Sequence, residues 1–191
     1  AGEEPPSLDE MRALNGVWED DEAVPPPSSW DFTPPPTIRV WRSSYGAASS
    51  CDGPVEVIDF EFYVGAVLGN EWISSWDTES LRAGAVAVRS YSAWWVNAGG
   101  KYDCADICDT TSCQVYDETG YASTDQAAAD MYGEYAVNGT TLEYTEYSAE
   151  NGDPTADGVS DSVCSGEAVN GHGRGMCQWG TSRWACRASS T

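Results

Sequence analysis

One acidic residue, Glu71, stands out because its neighbours in the sequence are apolar and aromatic. It follows the apolar stretch 63–68 and precedes Trp72 and Trp76. A carboxyl group among such side chains loses hydration, which disfavours its charged form and raises its pKa. A raised pKa is what a carboxylic acid needs to act as a general acid near neutral pH. The sequence therefore predicts Glu71 as a proton donor, whereas most other acids stand in polar, turn-like sequence typical of a solvated surface.

Two other interpretations concern Glu71 and a glycine-rich segment near the end of the chain. A glutamate close to a helix start often caps the helix or offsets its dipole, and composition alone does not exclude this role for Glu71. The glycines at positions 171, 173 and 175 have the spacing of a dinucleotide-binding loop. The helix and the acid about 20 residues later that such a loop requires are absent, so we exclude nucleotide binding.

The elements that would position Glu71 lie on either side of it. Alternating apolar residues predict a strand over 37–41, and a second strand is expected over 55–62. The best helix follows Glu71, with Ser75 or Asp77 as its cap and Gly99-Gly100 as its stop. Its inward positions recur at helical spacing, namely Leu81, Ala85, Val88, Ser92 and Trp95.

Further elements complete the predicted fold. Residues 123–126 form a capping-box pattern that opens a second helix through about Met131 or Tyr132. Strands are expected over 134–137 and 141–147, joined by the turn Asn138-Gly139. We therefore expect an α+β fold, with a mainly antiparallel sheet packed on helices, rich in loops and stapled by disulfides.

Seven cysteines indicate an oxidising compartment. Zinc is the alternative, but zinc sites usually take four Cys and His ligands in tight pairs. Cys104, Cys108 and Cys113 are spaced C-x3-C-x4-C, and the only histidine, His172, is far away in the sequence. Disulfides are favoured, with no metal and no cofactor, and the odd count leaves one thiol free or bonded to another molecule.

The charge balance excludes one class of partner. Nine basic residues against 31 acidic ones give a formal net charge of −22, which repels phosphate backbones, so we expect no nucleic-acid partner. No apolar run approaches the roughly 18 residues that span a bilayer. We expect a secreted protein, extracellular or periplasmic, whose leader has been removed.

The chain divides into two parts. Residues 1–36 hold most of the ten prolines and an acidic run at 19–22, which favours an extended, polyproline-like arm. Val17, Trp18, Trp30 and Phe32 are too apolar for an idle linker, so we expect the arm to lie on its own domain or on a neighbouring subunit. Residues 37–191 form the compact domain.

Four segments in order resemble the SpoIID/LytB family. Residues 63–76 and 79–91 resemble its central signature, Y-x-x-G-V-V-x-x-E-M-x-x-x-W followed by E-A-L-K-A-Q-A-V-A-A-R-T-Y. Residues 113–116 resemble its C-Q-x-Y element, and residues 171–180 resemble its G-H-G-x-G-M-S-Q-x-G block. The resemblance extends over about 37–185.

The resemblance implies an activity on bacterial cell-wall glycan. Some members are lytic transglycosylases that act on peptidoglycan strands lacking stem peptides, together with an amidase; others are chiefly amidase enhancers. The family's catalytic glutamate falls on Glu71. As an acid it would protonate the oxygen between N-acetylmuramic acid and N-acetylglucosamine. As a base it would then take the proton of the sugar's 6-hydroxyl, closing a 1,6-anhydro ring, so one carboxyl suffices.

Five further positions would bind substrate, namely Arg89, Tyr147, Ser148, His172 and Gln178. Arg89 could hydrogen-bond sugar, orient Glu71 or hold a buried carboxylate, and His172 could make a structural hydrogen bond within a tight loop. Stacking of sugars on some of the nine tryptophans is expected, although most must be core.

The chain departs from the family pattern in several places. Residues 150–155 replace the usual glycine pair and threonine, and Gly84 replaces a glutamine. Cys177 replaces a serine, with Cys186 close enough in sequence to pair with it. Some relatives hold zinc near the middle block with histidines, which this chain lacks there.

Three hypotheses follow. The first is a glycan-cleaving lyase that uses Glu71. The second is a non-catalytic module that binds glycan or activates an amidase. The third is an extracellular assembly subunit that associates with itself through residues 1–36, for example by adding to a neighbour's sheet edge.

Overall fold

A computed structural model describes residues 30–46, 49–152, 163–164 and 166–188, and it confirms the α+β class. The described residues form four helices, which are α1 (Phe60–Glu71), α2 (Thr78–Asn97), α3 (Ala122–Asp130) and α4 (Gln178–Ala188). None of these helices has both the length and the apolarity needed to cross a membrane. Small sheets and one short 3-10 helix, Ser43–Tyr45, complete the described elements.

The largest sheet has the strand order β2-β1-β3, with β1 (Thr37–Trp41) in the centre. It pairs antiparallel with β2 (Val55–Asp59) and parallel with β3 (Ile107–Cys108). The predicted strand over 37–41 is confirmed. The second strand ends earlier than expected, because the Asp59 carboxylate accepts hydrogen bonds from the amides of Glu61 and Phe62 and starts α1 there.

Helices α1, α2 and α3 pack on one another around the main core. Residues Tyr63 to Leu68 are all buried, so α1 lies in the centre of the domain. The predicted helix after Glu71 is confirmed as α2, and Asp77 caps it by accepting from the amide of Glu79 at 3.0 Å. The predicted helix α3 is present, but its capping box is wrong, since the Ser123 hydroxyl donates to the Ser74 carbonyl instead.

The strands after α3 are shorter than the sequence predicts. β4 (Val137–Asn138) and β5 (Thr141–Leu142) form a two-stranded hairpin around Gly139. β6 (Tyr147–Ser148) is not part of that hairpin and pairs in parallel with β7 (Met176–Cys177). This long-range pair brings the glycine-rich block of residues 171–180 to the end of α1.

Two disulfides staple the loops, as expected: Cys51–Cys104 and Cys108–Cys113. The suggested Cys177–Cys186 pair is absent from the described residues. Cys177 is buried beside Cys164, whereas Cys186 is exposed on α4.

The Pro-rich arm predicted for residues 1–36 lies outside the described residues as far as residue 29, so that prediction stands as made. Its last part packs on the domain. Trp30 and Phe32 stack at 4.7 Å between ring centroids, and each makes a T-shaped contact with the ring of Tyr135.

A close contact between α2 and the end of α1 explains one departure from the family pattern. A Cβ at Gly84 would lie 2.6 Å from Cε2 of Trp72 and 2.7 Å from Cδ1 of Leu68. Trp72 is only 2% exposed. The resembling signature has methionine and glutamine at these two positions. Tryptophan and glycine here are therefore a compensating pair, in which the missing side chain gives room to the indole.

We expect Gly84→Ala to destabilise the fold by about 1–3 kcal/mol, because overpacking against the indole outweighs the better helix propensity of alanine. Adding Trp72→Met should recover part of that loss, since the thioether leaves the space that the methyl group needs. Urea midpoints of the two single variants and the double variant form the test. Strictly additive losses would contradict the pairing.

Candidate active site

Glu71 is the last residue of α1, and its side chain is partly buried. Its Oε1 accepts a hydrogen bond of 2.7 Å from the backbone amide of Val115. Trp72, which follows it, is core and contacts the ring of Tyr147 edge-on at 4.9 Å. The end of α1 thus presents one carboxyl group. The Val115 amide fixes its Oε1 and does not bind its Oε2.

The surroundings of Glu71 favour its neutral form. Burial raises the pKa of the carboxyl group, and the Val115 amide and the nearby Gln178 side chain oppose the shift without cancelling it. Burial also raises the pKa values of Tyr63 and Tyr147, with the charge of Glu71 as the second cause. These two phenols therefore stay protonated and supply no competing negative charge.

A fully buried glutamine, Gln114, forms hydrogen bonds with several side chains of the site. Its Oε1 accepts from the Tyr63 hydroxyl at 3.1 Å and from the Ser92 hydroxyl at 2.7 Å. Its Nε2 donates to the Tyr147 hydroxyl at 3.1 Å. The next residue is Val115, whose amide holds Glu71, so one buried amide side chain fixes both Tyr147 and the partner of the acid.

Gln178 begins α4 and links it to α1. Its Nε2 donates to the backbone carbonyl of Glu71 at 2.8 Å, which satisfies one of the last carbonyls of α1. Of the predicted residues, Glu71, Tyr147 and Gln178 therefore come together at the end of α1.

Ser148 and His172 also contact each other, but their hydrogen bonds hold the loop of residues 171–175 in place. The His172 Nδ1 lies 3.0 Å from the Ser148 hydroxyl and accepts from the amide of Arg174 at 3.1 Å. Burial, with the charge of Arg174 as the second cause, lowers the pKa of His172. The neutral ring thus carries its proton on Nε2 and folds residues 171–175 against β6, which is the structural role that the sequence left open.

A cavity of about 200 Å³ adjoins this loop. Tyr147 and His172 line it, together with residues that the sequence did not single out, namely Tyr91, Lys101, Tyr144, Glu146 and Arg174. Cys113, two residues before the Val115 that holds Glu71, also lines the cavity, whereas Glu71 itself does not line it. Arg174 is paired with Glu146 at 2.7 Å, which leaves the lining with one net positive charge from Lys101.

An aromatic pair is formed by two residues that follow Glu71 and Gln178 in the sequence. Trp76 follows Glu71 in the loop to α2, and Trp179 follows Gln178 on α4. Their rings meet edge-on at 4.7 Å, and Trp179 is 40% exposed. Trp76 is half-buried, so both rings of this pair keep accessible surface, whereas Trp72 is core.

Arg89 lies elsewhere. It is 0% exposed, and its Nη2 is 2.6 Å from the Glu61 carboxylate and 2.9 Å from the carbonyl of Ala128. Arg89 therefore holds a carboxylate, one of the three roles considered for it, and in this structure it presents no surface to a sugar. It ties α1, α2 and α3 together instead.

A larger cleft, of about 430 Å³, is lined by residues 33–37 and by Arg39, Val96, Asn97 and Asp106. Arg39 and Asp106 are ion-paired there at 2.6 Å, so their charges offset each other. None of the predicted site residues lines this cleft, and we do not assign the chemistry to it.

Sequence reasoning missed Gln114, Val115 and Lys101. A signal for the first two was present, since residues 113–116 form the C-Q-x-Y element, but that element suggested no role. Lys101 is the only lysine of the chain, and that rarity was its only signal.

Comparison with known families agrees with the signature. The family model described as SpoIID, stage II sporulation protein, matches residues 51–147, which is half of the chain. The match includes Glu71, Gln114 and Tyr147 but ends before the glycine-rich block. No curated protein matches the chain.

Proposed function

The chain belongs to the SpoIID family, and from this premise we propose that it cleaves peptidoglycan glycan strands without water, with Glu71 as general acid and base. Family membership supports a sporulation-related, cell-wall-associated function in general terms. The finer proposal rests on one observation: a partly buried carboxyl group with a raised pKa and one oxygen fixed by a backbone amide.

In this proposal the two oxygens of Glu71 have different tasks. Oε1 accepts from the Val115 amide, so the acidic proton is on Oε2. Oε2 gives this proton to the glycosidic oxygen as the bond from C1 of N-acetylmuramic acid breaks. The carboxylate then takes the proton of the 6-hydroxyl on the same sugar while that oxygen bonds to C1. The proton count is restored, and the product carries a 1,6-anhydro end.

The use of a single carboxyl group has support in the surroundings of Glu71. A two-carboxylate glycosidase places its second acid roughly 5–9.5 Å away. The causes of the raised pKa of Glu71 are burial, opposed by the Val115 amide and the Gln178 side chain, and none of these groups is a carboxylate. The nucleophile in this proposal belongs to the sugar, so no second acid is needed.

The cavity and the aromatic pair suit a muramic acid substrate. Muramic acid lacking its stem peptide carries a free carboxylate, which matches the positive charge that Lys101 brings to the cavity. Apolar sugar faces stack on exposed indoles such as Trp179. We also propose export from a bacterial cell, which the two disulfides support.

A glycan-binding or amidase-activating module is the second candidate. The exposed rings of Trp179 and Trp184, together with the Lys101 cavity, would hold a glycan whether or not it is cut. Glu71 would then serve only to join the 113–116 segment to α1.

Incubation with insoluble, peptide-free glycan strands separates the two candidates. The proposed enzyme releases soluble fragments without any added amidase and releases fewer from strands that keep their peptides. A binding module sediments with the strands but releases nothing. Sedimentation without release, by protein of native circular dichroism, would overturn the enzymatic proposal in favour of the second candidate.

A further inference from the structure

Two cysteines outside the described disulfides, Cys164 and Cys177, lie side by side near the start of α4. Cys164 is 2% exposed and Cys177 is 5% exposed, and with Val163 they form a small buried cluster. The two sulfur atoms and a carboxylate oxygen of Glu150 all lie within 4.8 Å of one another.

Gly180 makes this contact possible. A Cβ at position 180 would lie 2.4 Å from Sγ of Cys164 and 3.0 Å from Cβ of Cys177. Any larger residue would drive the two sulfur-bearing side chains apart. The Gly180 amide also donates to Sγ of Cys177 at 3.2 Å, so the start of α4 holds that sulfur facing Cys164.

We propose that Cys164 and Cys177 form a third disulfide in the mature protein. Sulfur atoms this close reach bonding distance through side-chain rotation, provided that the two Cβ atoms come within about 3.5–4.5 Å. The chain already carries two disulfides, so conditions that form those bonds act on this pair as well.

The reaction is a thiol–disulfide exchange with a small-molecule disulfide such as oxidised glutathione. One cysteine thiolate attacks a sulfur of the oxidant and forms a mixed disulfide, releasing one small thiol. The second cysteine attacks the protein sulfur of that mixed disulfide and releases the other small thiol. The two cysteines lose two electrons and two protons, and the oxidant gains both.

A metal ion is a less suitable occupant of the same cluster. Two thiolates and Glu150 would supply three ligands, but the Glu150 carboxylate is already bound by the guanidinium group of Arg183. A guanidinium nitrogen of Arg183 also lies 3.9 Å from Sγ of Cys164. This fixed positive charge beside two of the three ligands repels a cation, whereas it does not oppose a neutral disulfide.

The disulfide would stabilise the candidate active site. Cys177 pairs with Ser148 in the β6–β7 ladder, and the residue after it, Gln178, binds the carbonyl of Glu71. A bond from Cys177 to Cys164 would anchor that strand and the start of α4. The proposal of the bond itself does not rest on the proposed catalytic activity.

Peptide mapping without reduction tests the proposal on the full chain, purified in the absence of reductant and exposed to oxidised glutathione. Cleavage after arginine isolates Cys177 in fragment 175–183 and Cys186 in fragment 184–187. We expect fragment 175–183 to be linked to the fragment that contains Cys164, and Cys164→Ser to abolish this link. Cys186→Ser, the matched control, should leave the link in place.

Three results would overturn the proposal. They are an alkylated, unlinked Cys177, a link between fragments 175–183 and 184–187, and a zinc ion retained by the two thiols in native mass spectrometry. Thermal unfolding gives a second test. Cys164→Ser and Cys177→Ser should each lower Tm by roughly 5–10 °C, whereas Cys186→Ser should leave it unchanged. Equal Tm values for all three variants would also refute the bond.

Discussion

Replacing Glu71 with glutamine is expected to slow glycan-strand cleavage by about 100- to 10,000-fold, the range typical for loss of a general acid or base. The glutamine carbonyl can still accept from the Val115 amide, so the fold and the neighbouring segment stay in place. The amide nitrogen, however, has no acidic proton to give. Initial rates of soluble fragment release from peptide-free strands measure the effect.

Glu79→Gln is the matched control for this variant. Glu79 is an exposed glutamate in the first turn of α2, and its charge partner is Arg82 at 2.7 Å. We expect parent-like cleavage from Glu79→Gln. Equal loss in both variants, or undiminished cleavage by Glu71→Gln, would remove Glu71 from the mechanism.

The same assignment sets the sign of the pH dependence. Glu71 must carry a proton to act as an acid, and burial raises its pKa above the ordinary value for glutamate. Cleavage should therefore continue to a higher pH than an exposed glutamate would allow and should fall as pH rises through the pKa of Glu71. A profile of kcat/KM against pH shows this falling limb, and its absence would contradict the acid role.

Gly175→Ala is expected to be the most destabilising single change in the site region, at roughly 3–5 kcal/mol. Gly175 has a positive φ of 70°, and a Cβ there would lie 1.8 Å from the backbone carbonyl oxygen of Glu146. That oxygen accepts from the amide of Met176 at 2.8 Å, so relief of the clash would separate β6 from β7. Urea unfolding followed by tryptophan fluorescence measures the loss.

Gly133→Ala supplies the control for backbone conformation alone. Gly133 has almost the same φ, 73°, but nothing lies within 4 Å of the place where its Cβ would be. Its free energy of unfolding should fall only by the cost of placing alanine in a left-handed conformation, about 1–2 kcal/mol. Equal losses in the two variants would mean that the contact with Glu146 contributes nothing.

Sequence patterns predicted those parts of the fold in which local signals agree. Helix α2 has an acidic cap, an amphipathic period and a glycine stop, and it forms where expected. Helix α1 had no such signal, because Tyr63 to Leu68 are buried on all sides and show no period. The extent of β2 was overestimated because the capping role of Asp59 was not recognised.

Some features of the candidate site could likewise be predicted from the sequence, and others could not. Glu71 could be selected from its apolar neighbours and from the family signature, and its raised pKa agrees with that choice. The burial of Arg89 could not be seen, because its partner Glu61 lies 28 residues away on another helix. The pairing of β6 with β7 was equally hidden, since strands of two residues have no alternation.

The most direct test of the central claim is digestion of peptide-free glycan strands in water enriched in the heavy oxygen isotope, with mass spectrometry of the fragment ends. A one-carboxyl lyase takes no oxygen from water, so we predict anhydro-muramic ends of unshifted mass. Reducing ends that carry the heavy isotope would contradict this account, because they would require a water nucleophile and a second catalytic group.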